Sequence, residues 1–348
     1  MPLKLNHFVS TLSFEYPFTI SGGRTKTVQQ ALIIKLERNG FVGFGEAPAI
    51  SYYNIPIEKM IEDLMFVQDK IENLNSETPD QFYSTISYFL PNNSFLRCAL
   101  DMAFWDAFGK ENAQPLYKLF GANWSNNLPI TDYTLGIDHI EKLISKMNAH
   151  PWPVYKIKVG SGNDLQNLTT LRQNSTKPFR IDANAGWKFD EALLLINTLK
   201  NLNIELIEQP LNVLDLHLMP QLKKLSSIPL FADESCVAES DVDNCVAGFH
   251  GINIKLTKCG GITPALRMIK NARQKGIQVM MGSMNESSIG SAAIANFLPL
   301  LDFVDMDGPL LLTSDLATGL KIKHGKIELS GAPGLGINVS ENSISSNN

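Results

Sequence analysis

Charged residues recur about every twenty-five positions through the middle of this chain, each at the end of a short, mainly apolar run. They are Lys158 after residues 154–157, Asp182 after 179–181, Glu208 after 204–207, Asp233 after 230–232 and Lys255 after 252–254. One strand, one helix and two short loops consume about that many residues. Charge placed at the carboxyl ends of successive parallel strands is where an α/β barrel keeps its catalytic groups.

Asp182, Glu208 and Asp233 fall on three consecutive predicted strands. Three carboxylates converging on one spot cannot all stay ionised unless a cation joins them. Oxygen-only ligation with room for water and substrate suits Mg²⁺. Each acid could instead cap the helix that follows it, but three at matching strand ends favour a shared site.

Lys156 and Lys158 are two apart on one strand and so share a face. Like charges depress amine pKa values, so one of the two is expected to be neutral near neutral pH and to act as a base. The alternative is a solvated pair at a sheet edge. Lys255 belongs to the sixth predicted strand, opposite the second in a ring of eight. A substrate between them has Lys158 on one face and Lys255 on the other, the arrangement needed to remove a proton from a carbon and return it on the opposite side. Lys255 could also serve only as a salt-bridge partner of Asp233. Asp305 and Asp307 close the eighth strand on a shared face, away from the metal acids, and suit a cationic group on the substrate; a turn before Gly308-Pro309 is the plainer reading.

Two absences narrow the chemistry. The seventh strand ends Val279-Met280-Met281-Gly282-Ser283, and no histidine of the chain falls at a predicted strand end. No phosphate-binding or dinucleotide glycine loop follows a strand.

The elements that must position these groups read as follows. Residues 31–36, Asn39-Gly40 and 41–44 form a hairpin signal, because Asn-Gly supplies the positive φ angles of a type I′ turn. Residues 3–14 can add a strand. Residues 57–89 are helical, and a further helix carries Phe95, Leu96, Ala99, Met102, Ala103 and Ala107, with Ser94 placed as its N-cap. Residues 121–128 are turn-rich. From Pro129 onward strand and helix signals alternate, with strands expected near 130–135, 154–159, 179–183, 204–208, 229–233, 252–256, 277–282 and 302–305. Eight strands in that span predict a closed barrel, with an open doubly wound sheet as the alternative. A last hairpin, near residues 320–329, is expected to return to the N-terminal part. The domains predicted are 1–125, 126–315 and 316–348.

With 348 residues, 44% of them hydrophobic and 19% charged, the composition is that of a soluble globular protein. A net charge of −5 offers no electrostatic footprint for nucleic acid or an anionic membrane, and no run approaches the length of a membrane helix. Cys98, Cys236, Cys245 and Cys259 form no close pair and are expected to be reduced, buried thiols. The first ten residues lack a secretory pattern, so a cytoplasmic location is expected.

Read together, Lys156-Ile157-Lys158, Asp182-Ala183-Asn184, Ile207-Glu208-Gln209-Pro210, Ala232-Asp233-Glu234-Ser235 and Asn253-Ile254-Lys255 resemble the enolase superfamily, within it the muconate-lactonizing-enzyme subgroup. Gly45-Glu46-Ala47-Pro48 and residues 99–106 resemble that family's capping domain. The resemblance implies a (β/α)7β-type TIM barrel with an N-terminal α+β capping domain completed by the C-terminal segment. Asp305-Met306-Asp307 looks like the Asp-x-Asp motif of dipeptide epimerases, which grips the α-ammonium group of the substrate.

The resemblance further implies an isomerase with one Mg²⁺ per subunit, held by Asp182, Glu208 and Asp233. Lys158 and Lys255 would be the two bases in a 1,1-proton transfer at the C-terminal residue of an Ala-Xaa dipeptide, and Lys156 would stabilise the enediolate. In the loop near residues 15–30, Arg24 could pair with a glutamate side chain; Tyr52, Tyr53 and Ile55 could instead accept a hydrophobic Xaa. Thr134, Ser283, Met284 and Glu286 are placed near the substrate. Small dipeptides are the implied partners, without nucleic acid or membrane, and a homo-oligomer is left open. The alternatives are an o-succinylbenzoate synthase or muconate-type cycloisomerase of the same subgroup, and an inactive barrel acting as a binding protein.

Overall fold

The computed structural model describes residues 2–20, 24–50, 53–160 and 162–340. The chain opens with an antiparallel sheet of β1 (Lys4–Ile20), β2 (Arg24–Arg38) and β3 (Phe41–Pro48). Asn39 and Gly40 take φ of 50° and 83° between the paired residues Arg38 and Phe41, the two-residue turn expected from Asn-Gly. Three helices cover this sheet: α1 (Ile57–Glu72), α2 (Pro79–Phe89) and α3 (Ser94–Glu111). Every second residue of β2 from Leu32 to Leu36 packs into one apolar cluster with Met60, Leu64, Val67 and Ile71 of α1. The N-cap of α3 is Asn93 rather than Ser94, because the Asn93 side chain accepts the Leu96 N–H at 3.0 Å.

Helix α3 is buried on nearly every face. On one side it lies so close to β3 that a Cβ at Gly43 or Gly45 would fall on the carbonyls of Ala103 and Ala99. After the short α4 (Leu116–Leu119), residues 121–130 form neither helix nor strand.

The remainder alternates strand and helix: β4 (Tyr133–Leu135), α5 (Ile140–Ala149), β5 (Tyr155–Lys158), α6 (Asp164–Asn174), β6 (Phe179–Asp182), α7 (Phe189–Leu199), β7 (Ile204–Glu208), α8 (Met219–Leu225), β8 (Leu230–Ala232), α9 (Asp241–Cys245), β9 (Gly251–Ile254), α10 (Leu256–Cys259), α11 (Ile262–Gln274), β10 (Gln278–Gly282), α12 (Ser288–Ala295) and β11 (Phe303–Asp305). The eight strands are parallel and lie in sequence order, and a parallel bridge from Thr131 to Val304 joins the two ends. Sequential order with closure excludes a doubly wound sheet. The architecture is a barrel of seven strand–helix units and a final strand.

Strand periodicity sorts the side chains. Ile157, Ile181, Ile207, Ala232, Ile252, Ile254, Met281 and Val304 join the apolar layer beneath the helices. The alternate positions face the bore. Leu206, Phe231, Met280 and Phe303 form an apolar floor there, and Glu208, Asp233 and Asp305 stand two positions beyond Leu206, Phe231 and Phe303.

The segment after residue 315 divides its contacts. The hairpin of β13 (Leu320–Lys323) and β14 (Lys326–Leu329) follows β12 (Ala317–Thr318), which pairs with β15 (Asn338–Val339). The hairpin turn lies against the barrel: the Gly325 carbonyl accepts the Thr131 N–H at 2.9 Å, and His324 meets the Trp152 ring. Contact with the first domain is made further on, where the Leu335 N–H donates to Asp106 at 2.8 Å and the Gly334 carbonyl accepts the Leu116 N–H at 3.1 Å. All four cysteines are buried and free. Among the described residues no helix is long and apolar enough to cross a membrane.

Two carboxylates of the first domain fasten it to the starts of barrel helices, where unpaired N–H groups point outward. Glu46 accepts Ser287 N–H at 2.9 Å, Ser287 Oγ–H at 2.6 Å and Gly290 N–H at 3.0 Å, at α12. Asp101 accepts Thr263 N–H and Oγ–H, both at 2.8 Å, at α11, and Trp105 Nε1 donates to the same hydroxyl. Burial pushes the Asp101 carboxyl up to about 7, against the opposing hydrogen bonds of Thr263. The ordinary value is 3.8, so on raising the pH the unfolded chain ionises before the folded one, and this group's contribution to stability falls between those values. Urea unfolding at a series of pH values should therefore show the wild type losing stability relative to Asp101→Asn across that window. Parallel pH curves for the two proteins would refute the assignment.

Candidate active site at the mouth of the barrel

The carboxyl ends of the strands bring the expected charges together in the bore. Lys156 and Lys158 on β5 both reach Asp182 at the end of β6, at 3.1 and 2.8 Å. Lys156 also donates to Glu208 at the end of β7, at 2.7 Å, and to Asp305 on β11, at 2.6 Å. Lys255, just past β9, donates to Asp233 at 2.9 Å. Lys158 and Lys255 thus come from strands four apart in the ring, with the three strands that carry or lead into Asp182, Glu208 and Asp233 between them.

One expectation is corrected here and one is narrowed. Asp305 does not stand apart from the metal acids, because the long Lys156 side chain extends into the bore and one ammonium joins Asp305 to Glu208 and Asp182. Repulsion between neighbouring amines does not produce a neutral lysine at 156. Burial opposes its charge, but Asp182, Asp305 and Glu208 outweigh burial and hold its pKa well above the ordinary lysine value. Lys255 is raised in the same sense, burial being overcome by Asp233 and Glu208.

The acids respond in kind. Burial alone would raise Asp182 and Asp233; Lys156 and Lys158 hold the first well below the usual carboxylate range, and Lys255 and Lys258 hold the second there. Glu208 is raised, by burial and then by the charges of Asp182 and Asp233. The three carboxylates therefore share one field. Asp307, buried beside Asp305, is pushed up to about 6, while the Thr134 N–H donates to it at 2.7 Å.

Thr134 thus meets Asp307 through its backbone, and the Ser283 N–H donates to the Asp305 carbonyl at 2.7 Å. Met284 and Tyr53 pack against the apolar core of the first domain. Tyr53 faces Phe95 at 5.6 Å and lies near enough to add to the field at Lys255. Glu286 is buried beside Glu46 and within the field of Lys255; burial and then Glu46 raise its carboxyl well above the ordinary range. Arg24 opens β2, but its side chain lies outside the described residues, as do Ser21, Gly22, Gly23 and Tyr52.

Several supporting groups had no role in the sequence reading. Asn253 donates to the second Glu208 oxygen at 2.8 Å, in space that Gly282 leaves by having no Cβ. Arg180 binds Asp132, Glu205 and the Val304 carbonyl at 2.7–2.9 Å. It precedes Asp182 by two residues on the same strand, the relation that singled out Lys156 and Lys158. Gln209, at φ 38°, accepts the N–H groups of Asp233 and Ser235 at 3.0 and 3.1 Å, so a strained residue after Glu208 orients the next strand end. Lys258 donates to the Asp233 carboxylate and, at 2.6 Å, to its carbonyl. It lies on α10, where strand periodicity offers no signal.

Residues 139–343 match the Enolase C-terminal domain-like family, and residues 6–121 match the Mandelate racemase / muconate lactonizing enzyme, N-terminal domain. The chain belongs to the mandelate racemase/muconate lactonizing enzyme family. Among relatives in that family, an L-Ala-D/L-amino acid epimerase of Flavobacterium johnsoniae is 44% identical over 328 residues, 94% of this chain and 97% of its own. An L-Ala-D/L-Glu epimerase of Bacteroides thetaiotaomicron is 33% identical, with 96% and 88% of the two chains covered. A dipeptide epimerase from Cytophaga hutchinsonii, solved in complex with Mg and the dipeptide D-Ala-L-Val, superposes with a TM-score of 0.94 at 25% identity, covering 99% of this chain and 98% of that one.

Within this mandelate racemase/muconate lactonizing framework the donor set fits a hard divalent cation. Three buried carboxylates from consecutive strand ends supply oxygen alone, with no imidazole or thiolate among their partners. Among the described residues no three acidic, histidine or cysteine side chains stand ready-grouped around a metal position; lysine ammoniums are interleaved with the acids. Lys258→Met leaves the buried Asp233 carboxylate and carbonyl without this donor and should cost about 3 kcal/mol in urea unfolding. A loss under roughly 1 kcal/mol would show that Lys258 is not an anchor.

Proposed function

We propose that this protein is a Mg²⁺-dependent dipeptide epimerase that inverts the α-carbon of the C-terminal residue of an Ala-Xaa dipeptide. The observation that carries this reading is the placement of Lys158 and Lys255 on strands four apart in the ring, with three carboxylate-bearing strand ends between them. A single amine beside the acids could abstract a proton; two from opposite sides can also return it to the other face.

Asp182, Glu208 and Asp233 hold the metal. Bound there, Mg²⁺ supplies positive charge against the negative charge that develops on the substrate carboxylate. Asp305 and Asp307 accept the α-ammonium of the dipeptide, and Thr134 positions Asp307 through its N–H. Lys158 or Lys255 removes the α-proton, according to the configuration presented, and the opposite amine delivers a proton to the planar carbon. Lys255, which its carboxylate neighbours keep protonated, serves as acid for one configuration. The Lys156 ammonium faces the enediolate and stabilises it. Tyr53 and Met284, both packed on apolar core, favour a hydrophobic Xaa.

Incubation of Ala-Xaa dipeptides in D₂O with Mg²⁺, read by mass spectrometry and chiral chromatography, should show deuterium entering the C-terminal residue with inversion, faster for Ala-Leu and Ala-Phe than for Ala-Glu. Faster turnover of Ala-Glu would overturn the hydrophobic assignment. Lys158→Ala and Lys255→Ala should each lower epimerisation by about 10²–10⁴-fold or more, with at most one enantiomer still exchanging its α-proton; full activity in either variant would end the two-base scheme. Asp305→Asn should raise KM for dipeptides about tenfold or more by weakening a charge-assisted contact to the ammonium. An unchanged KM would point to a substrate without that group, such as that of a cycloisomerase.

A further inference from the structure

Lys156 has more ionic partners than any one role requires. Its ammonium lies 2.6 Å from Asp305, 2.7 Å from Glu208 and 3.1 Å from Asp182. The first belongs to the proposed ammonium-binding pair and the other two to the proposed metal site. The side chain is almost wholly buried. The remaining described amines are more local: Lys158 bonds Asp182 and Asn184, Lys255 bonds Asp233, and Lys258 bonds Asp233 and nearby carbonyls.

Resting on the reading given above, we propose that Lys156 is an internal stand-in cation that closes both binding sites of the unloaded enzyme at once. Lys156 holds one oxygen of Glu208 and one of Asp182, the latter shared with Lys158, so an incoming dication competes with it for those oxygens and is repelled by its charge. Asp305 must likewise exchange Lys156 for the α-ammonium of the dipeptide. The dipeptide carries both compensating charges: its ammonium replaces Lys156 at Asp305, and its carboxylate offers Lys156 a new partner. The first ligand to bind therefore bears the cost of displacing Lys156, and the second meets a site already open. The coupling between them is reciprocal.

The inference runs against the usual consequence of mutating a residue beside a metal site. Removing Lys156 should tighten metal binding while abolishing turnover. Isothermal titration of Mg²⁺ into metal-stripped protein, without substrate, should give an affinity roughly tenfold or more higher for Lys156→Met than for wild type, within the usual range of coupling between sites. Lys255→Met, which removes an equal charge but leaves Asp233 held by Lys258, should tighten it by clearly less. Lys156→Gln serves as a second variant if the methionine protein is poorly soluble. Thermal unfolding reports the same effect where the metal-free variant is partly unfolded, as a larger rise in Tm on adding Mg²⁺ than wild type shows.

Equal or weaker Mg²⁺ affinity in both Lys156 variants would overturn the stand-in role, as would an equal gain in Lys255→Met, which would mean that loss of charge alone is responsible. The titration contains no dipeptide. A wild-type enzyme inactive on every dipeptide would defeat the proposed function while leaving this result to stand on its own.

Discussion

Everything at the mouth of this barrel depends on balancing buried carboxylates with buried ammoniums. An unpaired ion in such a place costs several kcal/mol, and here Asp182, Glu208, Asp233 and Asp305 are all almost wholly buried. Their partners come from β5 and from the segment after β9, so strands distant in sequence are tied together by charge. Lys156 alone links residues from three further strands. This network does not maximise stability, since a layer of apolar side chains would fill the bore at lower cost, as Leu206, Phe231, Met280 and Phe303 do just beneath it. The two layers differ by one strand repeat and by purpose.

Burial of that charge is a joint product of the two domains. The barrel supplies walls and floor, and the first domain lies over the open end. Its attachment is specific: Glu46 and Asp101, both fully buried, each satisfy the first N–H groups of a barrel helix. The same contact that fastens Glu46 also fixes residues 286–290, directly after the segment holding Ser283 and Met284. Tyr53, from the loop after β3, lies near Lys255. Exclusion of water lowers the local dielectric, which strengthens each ion pair and also raises the cost of leaving any member unpaired.

Strand periodicity explains why so much of this was legible from residue spacing. Polar residues that face a bore while their neighbours face helices must alternate with apolar ones, so Lys156-Ile157-Lys158 and Arg180-Ile181-Asp182 betray both strand and facing. The alternation also places Asn253 inward beside Ile252 and Ile254, although its bond to Glu208 depends on room left by Gly282, a contact between strands that spacing cannot express. Lys258 was illegible for a different reason. It approaches Asp233 from a helical turn, after the chain has left the sheet, where side-chain direction no longer follows a period of two. The Ser94 reading failed locally: both Asn93 and Ser94 are good caps, and backbone geometry chose the earlier one. Spacing also places Asp305 on the correct strand without showing that a flexible four-carbon chain brings the Lys156 ammonium to it.

That reach bears on how the amines acquire reactivity. A base must be neutral to accept a proton, yet burial and carboxylates act on these lysines in opposite directions. For Lys255, burial is the largest single influence and favours the neutral amine, and it is overcome only by the summed attraction of Asp233 and Glu208. A dication that takes up the charge of those acids removes the attraction and leaves burial in place. In this fold the same carboxylates that would bind the metal hold Lys156 and Lys255 in their charged forms, so metal binding and proton transfer would draw on one buried network.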